Sequence, residues 1–394
     1  MSARSTMLPA FAAVLLALCG GCASAPRSPE VDAALRPYVD GGHIAGVISA
    51  LSDADYNETW NCLGWADVEN RVSMAPDTVF AVFSMTKTLT GCAVMVAVDR
   101  GILRMDDLVS DYLPEFQRLE NKLTIRDCMC HVSGVYGGSV PIVHTSVPLR
   151  EQARSWALNG RCGDRPGEKF LYGNSSIAAV AACLEVASGM SFEDFLKENV
   201  LDPLGMRDTA FTPTDDMLRR LVKAYTTKGG PISPADDRCS GQLVFPCGHK
   251  IYPMPSAGLY STPADMLRFS QMLAHHGEWK GRRIVSRRTF DEIWAKKQTP
   301  PGVEQPYTVG SWLWGDWFGH EGAMRTDQHA NLRTGHSRLF FVQTENKAGQ
   351  AFFDAKYDWN RACDAAQKME VPYRDNQTVD YEDKFFKTRR EYMK

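Results

Sequence analysis

Apolar residues recur at two different spacings near the start of the chain. From Ser28 to Gly41 they recur every three or four positions, which is typical of a helix with one buried face. The stretches Ile44–Leu51 and Glu58–Trp65 are short apolar-rich runs on either side of a polar turn, and such runs form strands. We therefore predict a helix followed by two paired strands.

The most apolar helix of the chain is predicted within Val79–Gly101. After Ser84, apolar residues cover nearly every face of this segment, and a helix of that kind belongs in the interior of a protein. Arg100 and Gly101 are ordinary signals for the end of a helix. Ser84 is therefore expected in the first turn of a buried helix, with Lys87 on the same face three residues later.

Capping residues and periodic patterns predict the remaining elements. The predicted helices are Leu123–Val135, Ser175–Ser188, Ser191 to Asn199, Thr262 to Gly277 and Gln350–Met369, and the predicted closing strands are Tyr307–Trp314, Gly319–Arg325 and Ser337–Glu345. Residues 136–165 and 212–260 contain long loop-like stretches that would border a site. Strands at both ends, with helices between them, predict an α+β fold. Its antiparallel β-sheet is completed by both chain ends and flanked by helices, with an inserted and mostly helical region.

Composition agrees with this fold and excludes some classes of function. The chain has 394 residues, of which 44% are apolar and 23% charged, and this composition is ordinary for a globular protein. A net charge of −3 offers no electrostatic case for nucleic acid binding. We expect one domain over residues 26–369 and a polar extension over residues 370–394. The oligomeric state is left open.

The first 25 residues have the pattern of an export signal. A basic residue precedes the apolar stretch Met7–Leu18, and small residues follow it. Ala23–Ala25 fits a conventional cleavage site, whereas Leu18–Cys22 resembles the box of bacterial lipoproteins, in which Cys22 carries the lipid. We favour the lipoprotein interpretation. It predicts an exported protein with a lipid anchor in the bacterial cell envelope, at the outer membrane because Ala rather than Asp follows Cys22.

The eleven cysteines do not form a recognisable metal motif. Two lie in the predicted signal, and an odd number remains, so at least one thiol stays free. Cys92 and Cys183 lie in apolar helical runs and are expected to be small core residues. Cys239 and Cys247 flank a short polar loop and are the best candidates for a disulfide. Because no C-x-x-C or H-E-x-x-H motif follows the signal, we predict neither a metal site nor a cofactor.

The tetrapeptide Ser84–Lys87 has the form S-x-x-K, which has a chemical rationale. A serine hydroxyl becomes a nucleophile when a base takes its proton. A lysine that is desolvated near the positive end of a helix has its neutral form favoured, and the neutral amine is such a base. The free N–H groups of the helix N-terminus also suit a developing oxyanion. The competing interpretation is a capping serine beside a solvent-exposed lysine, since such a tetrapeptide also arises by chance.

Three segments, in order along the chain, resemble the motifs of the serine beta-lactamase superfamily. They are Ser84-Met85-Thr86-Lys87, Tyr172-Gly173-Asn174 and His320-Glu321-Gly322. The most similar branch is the class C beta-lactamase-like one, which includes family VIII carboxylesterases, D-aminopeptidases and DD-peptidases. Leu123–Gly134, Lys197–Phe211 and Tyr260–Phe269 also resemble segments of this branch. The resemblance covers most of the predicted domain and implies the superfamily's α+β fold.

The resemblance implies a role for each matched residue. Ser84 would be the acylated nucleophile, Lys87 would accept its proton or hold it in place, and Tyr172 would carry the proton to the leaving group. Asn174 would orient the substrate, and the backbone N–H groups of Ser84 and Ala323 would form the oxyanion hole. Whether Lys87 or Tyr172 is the base stays open.

The third motif departs from the pattern of the branch. Beta-lactamases and DD-peptidases carry Lys-Thr-Gly, whose cation and hydroxyl help hold a substrate carboxylate, whereas this chain has His320-Glu321-Gly322. A histidine in first place is common in esterase-like members. The carboxylate of Glu321 would repel an anionic substrate, although Arg325 lies near enough in sequence to neutralise it.

We therefore predict a serine hydrolase that acts through an acyl-enzyme on a small ester or amide. The alternatives are a beta-lactamase, DD-peptidase or D-aminopeptidase, and a catalytically silent homologue that binds a ligand or acts as a sensor. Other rings near these motifs have structural interpretations. His131 is expected to be a buried ring that bonds the backbone, and His320 either lines the site or lies at its rim. Trp312, Trp314 and Trp317 form either a wall for an acyl group or ordinary sheet packing.

Overall fold

The computed structural model describes residues 26–137, 147–227, 232–235, 252–299, 303, 306–344 and 350–369. The predicted export signal, the Cys239–Cys247 pair and the 370–394 extension lie outside these residues. Within the described part of the chain, Cys92 and Cys183 are free thiols and fully buried, as predicted.

One seven-stranded antiparallel sheet is the centre of the fold. Its strands are β1 (Gly46–Ser52), β2 (Glu58–Asp67), β3 (Val72–Ser73), β4 (Trp312–Trp314), β5 (Trp317–Glu321), β6 (Thr326–Asn331) and β7 (Ser337–Phe341). Their order across the sheet is β4-β5-β6-β7-β1-β2-β3. Ala50 of β1 lies opposite Leu339 of β7, so the N-terminal and C-terminal strands meet inside the sheet. The predicted α+β fold is confirmed.

Long helices flank this sheet. In the described chain they are α1 (Pro29–Asp40), α2 (Thr86–Asp99), α3 (Leu149–Asn159), α4 (Ser175–Ser188), α5 (Pro263–Ala274) and α6 (Gln350–Ala366). Ser28 caps α1 and Thr262 caps α5, because each side chain accepts a hydrogen bond from an N–H three residues later. No single described helix has the length and hydropathy to cross a membrane. The pair of α4 and Phe192–Leu204 meets the test only when joined across an 83° bend.

The alternation of side chains along β1 separates two apolar layers. Val47 and Leu51 pack in one cluster with residues of α1 and α6, whereas Ile48 and Ala50 pack in the larger core with residues of α2 and α5. Every residue of α2 from Thr86 to Ala97 is buried, which confirms the predicted interior helix. The helical insertion therefore carries the S-x-x-K segment into the middle of the protein.

Short elements connect these parts. The short helical turns are Phe83–Met85, Val109–Tyr112, Pro114–Arg118, Ile125–Met129, Phe192–Leu196, Lys197–Leu201, Asp202–Leu204, Asp215–Arg219, Arg287–Thr289 and Phe290–Trp294. Short antiparallel pairs join Phe80–Ala81 to Tyr260–Ser261, Val135–Tyr136 to Arg161–Cys162, Tyr225–Thr226 to Ser233–Pro234, and Glu278–Trp279 to Arg282–Arg283. The first of these pairs joins the chain just before Ser84 to the segment that precedes α5.

Two predicted helices are shorter than expected. The helix predicted over Leu123–Val135 ends at Met129, because the chain turns after Cys130 and His131 adopts a left-handed backbone with a φ of 59°. The helix predicted from Ser191 towards Asn199 is α-helical only over Phe192–Leu196 and continues as a π turn.

The strand predicted over Gly319–Arg325 is wrong in its second half. β5 ends at Glu321, the chain turns through Gly322 to Arg325, and it returns as β6, which the sequence did not predict. β6 was missed because its side chains are mostly polar although they are mostly buried. Gln328, for example, donates a hydrogen bond of 3.1 Å to the Ser270 hydroxyl of α5. Because this partner is distant along the chain, no local sequence pattern indicates that Gln328 is buried in a strand.

Candidate active site

Ser84 lies in the 3₁₀ turn Phe83–Met85 that leads into α2. The turn is strained, because Phe83 has a φ of 45°, and a bulky residue rarely adopts this left-handed conformation. Ser84 keeps part of its surface exposed, whereas the helix residues that follow Met85 are buried. The turn therefore presents one accessible hydroxyl at the start of a buried helix.

Lys87 is fully buried, and its side chain reaches three oxygen atoms. The Nζ atom lies 3.3 Å from the Ser84 Oγ, 3.0 Å from the Asn174 Oδ1 and 2.8 Å from the backbone oxygen of Ser256. The oxygens of Asn174 and Ser256 accept hydrogen bonds only, so they take two N–H groups of Lys87. In a neutral amine, two N–H groups used in this way would leave the lone pair available to the Ser84 hydroxyl at 3.3 Å, which is what a base needs.

Tyr172 lies beside Lys87 and at the edge of an aromatic cluster. The Lys87 Nζ is 4.6 Å from the centre of the Tyr172 ring. The Trp312 ring is stacked parallel to the Tyr172 ring with 6.4 Å between the ring centres, and Tyr307 and Phe170 contact the same cluster. These rings hold the phenol in one orientation, and its hydroxyl lies 3.4 Å from the Nε2 of His320.

His320 is a buried, neutral imidazole in this arrangement. Its Nδ1 donates a hydrogen bond of 2.7 Å to the backbone oxygen of Glu321, so Nε2 is the acceptor that faces the Tyr172 hydroxyl. Burial, and secondarily the charge of Lys87, lowers the pKa of His320 to about 3. His320 therefore lines the site instead of lying at its rim.

His131 has the structural position that the sequence suggested. Its ring is fully buried, and its Nδ1 accepts a long hydrogen bond of 3.4 Å from the backbone N–H of Gly173. Burial, and secondarily the charge of Lys87, holds the pKa of His131 well below its ordinary value. The ring therefore supports the Tyr172-Gly173-Asn174 segment.

Gly322 packs directly against the backbone segment that leads to Ser84. A Cβ atom at this position would lie 2.5 Å from the backbone oxygen of Val82 and would also clash with the Thr326 hydroxyl. Only glycine fits so close an approach. The contact brings the Gly322–Ala323 turn next to the Ser84 turn, and the role of the Ala323 N–H as an oxyanion donor stays a prediction.

Glu321 has a cationic partner that sequence analysis missed. Lys356 of α6 forms an ion pair with the Glu321 carboxylate, 35 positions away along the chain. The Arg325 guanidinium, which was the expected cation, is stacked over the rings of Phe352 and Phe353 at 5.0 and 5.1 Å. The ion pair with Lys356 weakens the expected repulsion of an anionic substrate.

The structure also reveals site residues that carried no sequence motif. The Ser256 backbone oxygen holds Lys87, and the neighbouring Pro255 oxygen accepts a hydrogen bond of 2.6 Å from Thr90. A backbone oxygen is the same in every residue, so no pattern pointed to it. Of the three tryptophans, Trp312 joins the aromatic cluster and Trp314 stacks on it, whereas Trp317 lies under the Arg338 guanidinium.

Comparison with known proteins identifies relatives of this chain. A family model described as Beta-lactamase matches residues 31–366. The D-alanyl-D-alanine-carboxypeptidase/endopeptidase AmpH of Escherichia coli (strain K12) is 29% identical over 210 residues, which is 51% of this chain and 50% of that protein. The chain thus spans about half the length of AmpH.

Solved structures with a similar fold include two enzymes. EstCE1, described as a hydrolase with promiscuous acyltransferase activity, superimposes with a TM-score of 0.70 at 20% identity, over 85% of this chain and 97% of EstCE1. Unliganded simvastatin synthase (LovD) from Aspergillus terreus superimposes with a TM-score of 0.68 at 19% identity, over 86% of this chain and 98% of LovD. At these identities the likeness shows a shared fold.

Proposed function

The chain belongs to the beta-lactamase family of serine hydrolases, and from this premise we propose that it is an esterase-like member acting on small, neutral esters or amides. The observation that carries the proposal is the set of contacts around Lys87, which joins Ser84, Asn174 and the Ser256 backbone oxygen. A binding protein has no need for a buried amine held against a serine hydroxyl, whereas acyl transfer does.

In the proposed mechanism, Lys87 accepts the Ser84 proton while Oγ attacks the substrate carbonyl carbon. The carbonyl π bond becomes an oxyanion, which the N–H groups of Ser84 and Ala323 bind. Collapse of this intermediate breaks the bond to the leaving group. The Tyr172 hydroxyl delivers a proton to that group and is reprotonated by the Lys87 ammonium, which restores the neutral amine. In the second half, water attacks the acyl carbon and gives a proton to Lys87, and the Ser84 Oγ leaves with a proton from Tyr172, so that the acid product is released and the enzyme is regenerated.

His320 supports a neutral substrate in this proposal. A residue at its position that carried a positive charge would attract a substrate carboxylate, but burial, the largest cause of its lowered pKa, keeps the imidazole neutral. Its accepting Nε2 faces the Tyr172 hydroxyl, so the imidazole is placed to accept a hydrogen bond from the phenol. The buried aromatic cluster around Trp312 makes the surroundings of the same hydroxyl apolar. The preference for neutral groups thus rests on His320, not on repulsion by Glu321.

A labelling experiment tests the nucleophile. The purified soluble domain is treated with a fluorophosphonate and analysed by intact-protein and peptide mass spectrometry, with Ser84→Ala as the control. We expect one adduct, located on Ser84 and absent from the control. A folded wild-type protein that gains no adduct would refute the hydrolase proposal and favour the silent ligand-binding alternative.

A matched substrate pair tests the preference for neutral groups. The p-nitrophenyl esters of butyrate and of succinate have acyl chains of equal length, but only the second carries a free carboxylate. We expect kcat/KM to be higher for the butyrate ester, with little hydrolysis of a chromogenic cephalosporin. A preference for the succinate ester or the cephalosporin would contradict this part of the proposal while leaving the Ser84 nucleophile intact.

A second candidate function is D-alanyl-D-alanine carboxypeptidase activity. It is favoured by the likeness to AmpH, whose name states that activity and whose match covers half of this chain. Release of D-alanine from a diacetyl-lysyl-D-alanyl-D-alanine peptide measures it directly. Turnover of that peptide faster than of the butyrate ester would make this the better assignment.

The cell-envelope location is a proposal from the sequence alone. We propose that Cys22 is lipidated after export and holds the domain at the outer membrane. Metabolic labelling with palmitate in a bacterial host, with Cys22→Ala as the control, tests the anchor. Label that persists in the control would contradict it.

A further inference from the structure

Glu321, the unusual second residue of the third motif, faces a like charge. In the antiparallel pairing of β5 with β6, Glu321 lies directly opposite Asp327. Asp327 is almost completely buried, and Glu321 is about one quarter exposed. Two carboxylates directly opposite each other on neighbouring strands repel, and burial strengthens the repulsion. Without a counter-charge, this repulsion would separate β5 from β6 at the end of the β5–β6 hairpin, next to Gly322.

Lys356 of α6 lies between the two carboxylates. Its Nζ atom forms an ion pair with Glu321 and lies 3.0 Å from the Asp327 Oδ2. The other Asp327 oxygen lies 2.6 Å from the Nδ1 of His329. Burial by itself would raise the pKa of Asp327, but the interactions with His329 and Lys356 hold that pKa well below its ordinary value.

A second contact joins the same helix to the same hairpin. Arg325, in the turn between β5 and β6, stacks its guanidinium over Phe352 and Phe353 at 5.0 and 5.1 Å. Both rings belong to the first turns of α6, one turn before Lys356. The C-terminal helix therefore contacts the hairpin on its strands through Lys356 and at its turn through these two rings.

We infer that Lys356 is a positioning residue, which holds the end of the β5–β6 hairpin so that His320 and the Gly322–Ala323 turn face the Ser84 turn. His320 directly precedes Glu321, and its Nδ1 is held by the Glu321 backbone oxygen. A shift of Glu321 thus moves the acceptor that faces Tyr172. The same shift moves Gly322, which packs on Val82 two residues before Ser84. Glu321 serves this ion pair.

This inference rests on the proposed function, because it concerns the geometry of the same site. The experiment compares four full-length variants: Lys356→Met, Lys356→Arg, the double variant Glu321→Gln with Lys356→Met, and the control Lys368→Met. Lys368 is an exposed lysine just after α6, so its replacement removes the same charge without touching the hairpin. Circular dichroism first verifies that each variant is folded.

We expect Lys356→Met to slow acylation of Ser84 by a fluorophosphonate by about 10- to 100-fold, with kcat for the butyrate ester reduced in parallel and KM little changed. Lys356→Arg should restore most of the rate because it keeps the charge. The double variant should recover part of it, since it removes one of the two opposed carboxylates. Lys368→Met should behave as the wild type.

Hydrogen exchange supplies a measurement that is independent of catalysis. In Lys356→Met, peptides that cover residues 317–331 should exchange faster, while peptides that cover α2 should be unchanged. An unchanged acylation rate together with unchanged exchange at 317–331 would overturn the inference, and so would faster exchange across the whole domain. If wild-type Ser84 takes no label, the proposed function fails, but the exchange experiment still decides whether Lys356 holds the hairpin.

Discussion

The close approach of Gly322 to Val82 allows a quantitative prediction for Gly322→Ala. The added Cβ would lie 2.5 Å from the Val82 backbone oxygen, whereas an ordinary contact begins near 3.4 Å, so the turn must move by about 0.9 Å. Val82 is fully buried between the strand Phe80–Ala81 and the Phe83–Met85 turn, so its backbone has little room to move. The displacement therefore falls mainly on the Gly322–Ala323 turn.

A displacement of this size at an oxyanion donor has a known scale. A misplacement of about 1 Å costs about 100-fold in rate, and loss of one oxyanion donor costs about 2.7 to 4 kcal/mol of transition-state stabilisation. We expect kcat for the butyrate ester to fall by about 100-fold in Gly322→Ala, with KM changed by much less. Overpacking should also lower the free energy of unfolding by about 1 to 3 kcal/mol.

Gly46→Ala is the matched control for this loss. A Cβ at Gly46 would lie 2.6 Å from the backbone nitrogen of Trp65, which is a similar clash in β1, a strand that β7 separates from the β5–β6 hairpin. This variant should lose stability and keep its kcat. Steady-state kinetics and urea denaturation at one temperature separate the two effects. A Gly322→Ala protein with wild-type kcat would refute the placement of the oxyanion hole beside Gly322.

Three further predictions follow from the contacts around the site and the sheet. Tyr172→Phe keeps the ring packing but removes the hydroxyl near His320, so kcat should fall by about 100-fold or more with little change in thermal stability, as measured by kinetics and calorimetry. The pKa of His320 is lowered to about 3 in the native state, whereas a histidine in the unfolded chain has a pKa of about 6.5. As the pH falls below about 6.5, the unfolded chain therefore binds a proton that the native state does not bind, and the free energy of unfolding declines. His320→Gln should decline less over this range in urea denaturation, and an identical decline would contradict the buried neutral ring. Trp359→Phe removes the 2.7 Å hydrogen bond from Nε1 to the buried Ser49 hydroxyl and should cost about 1 to 3 kcal/mol without changing kcat, whereas an unchanged urea midpoint would refute this tie between α6 and the sheet.

The sequence determined those parts of the fold whose partners are close along the chain. The helix α1 and the strands β1 and β2 follow from local periodicity, because a buried face repeats every few residues in a helix and every second residue in a strand. The same local geometry placed Ser84 and Lys87 on one face at the start of α2. Resemblance to a family then added Tyr172, which no spacing by itself connects to Ser84.

Only the tertiary structure decided the contacts between distant polar groups. β6 was missed because buried Asp327 and Gln328 obtain their partners from α6 and α5, and a buried polar residue has no local signature. The Ser256 backbone oxygen became part of the site because the chain before α5 packs against α2. From the sequence Glu321 was expected to be a charge beside the substrate, whereas in the structure it forms an ion pair with Lys356. Such pairings depend on how the sheet and its helices meet in space, and this is set by packing of the whole core instead of by the order of neighbouring residues.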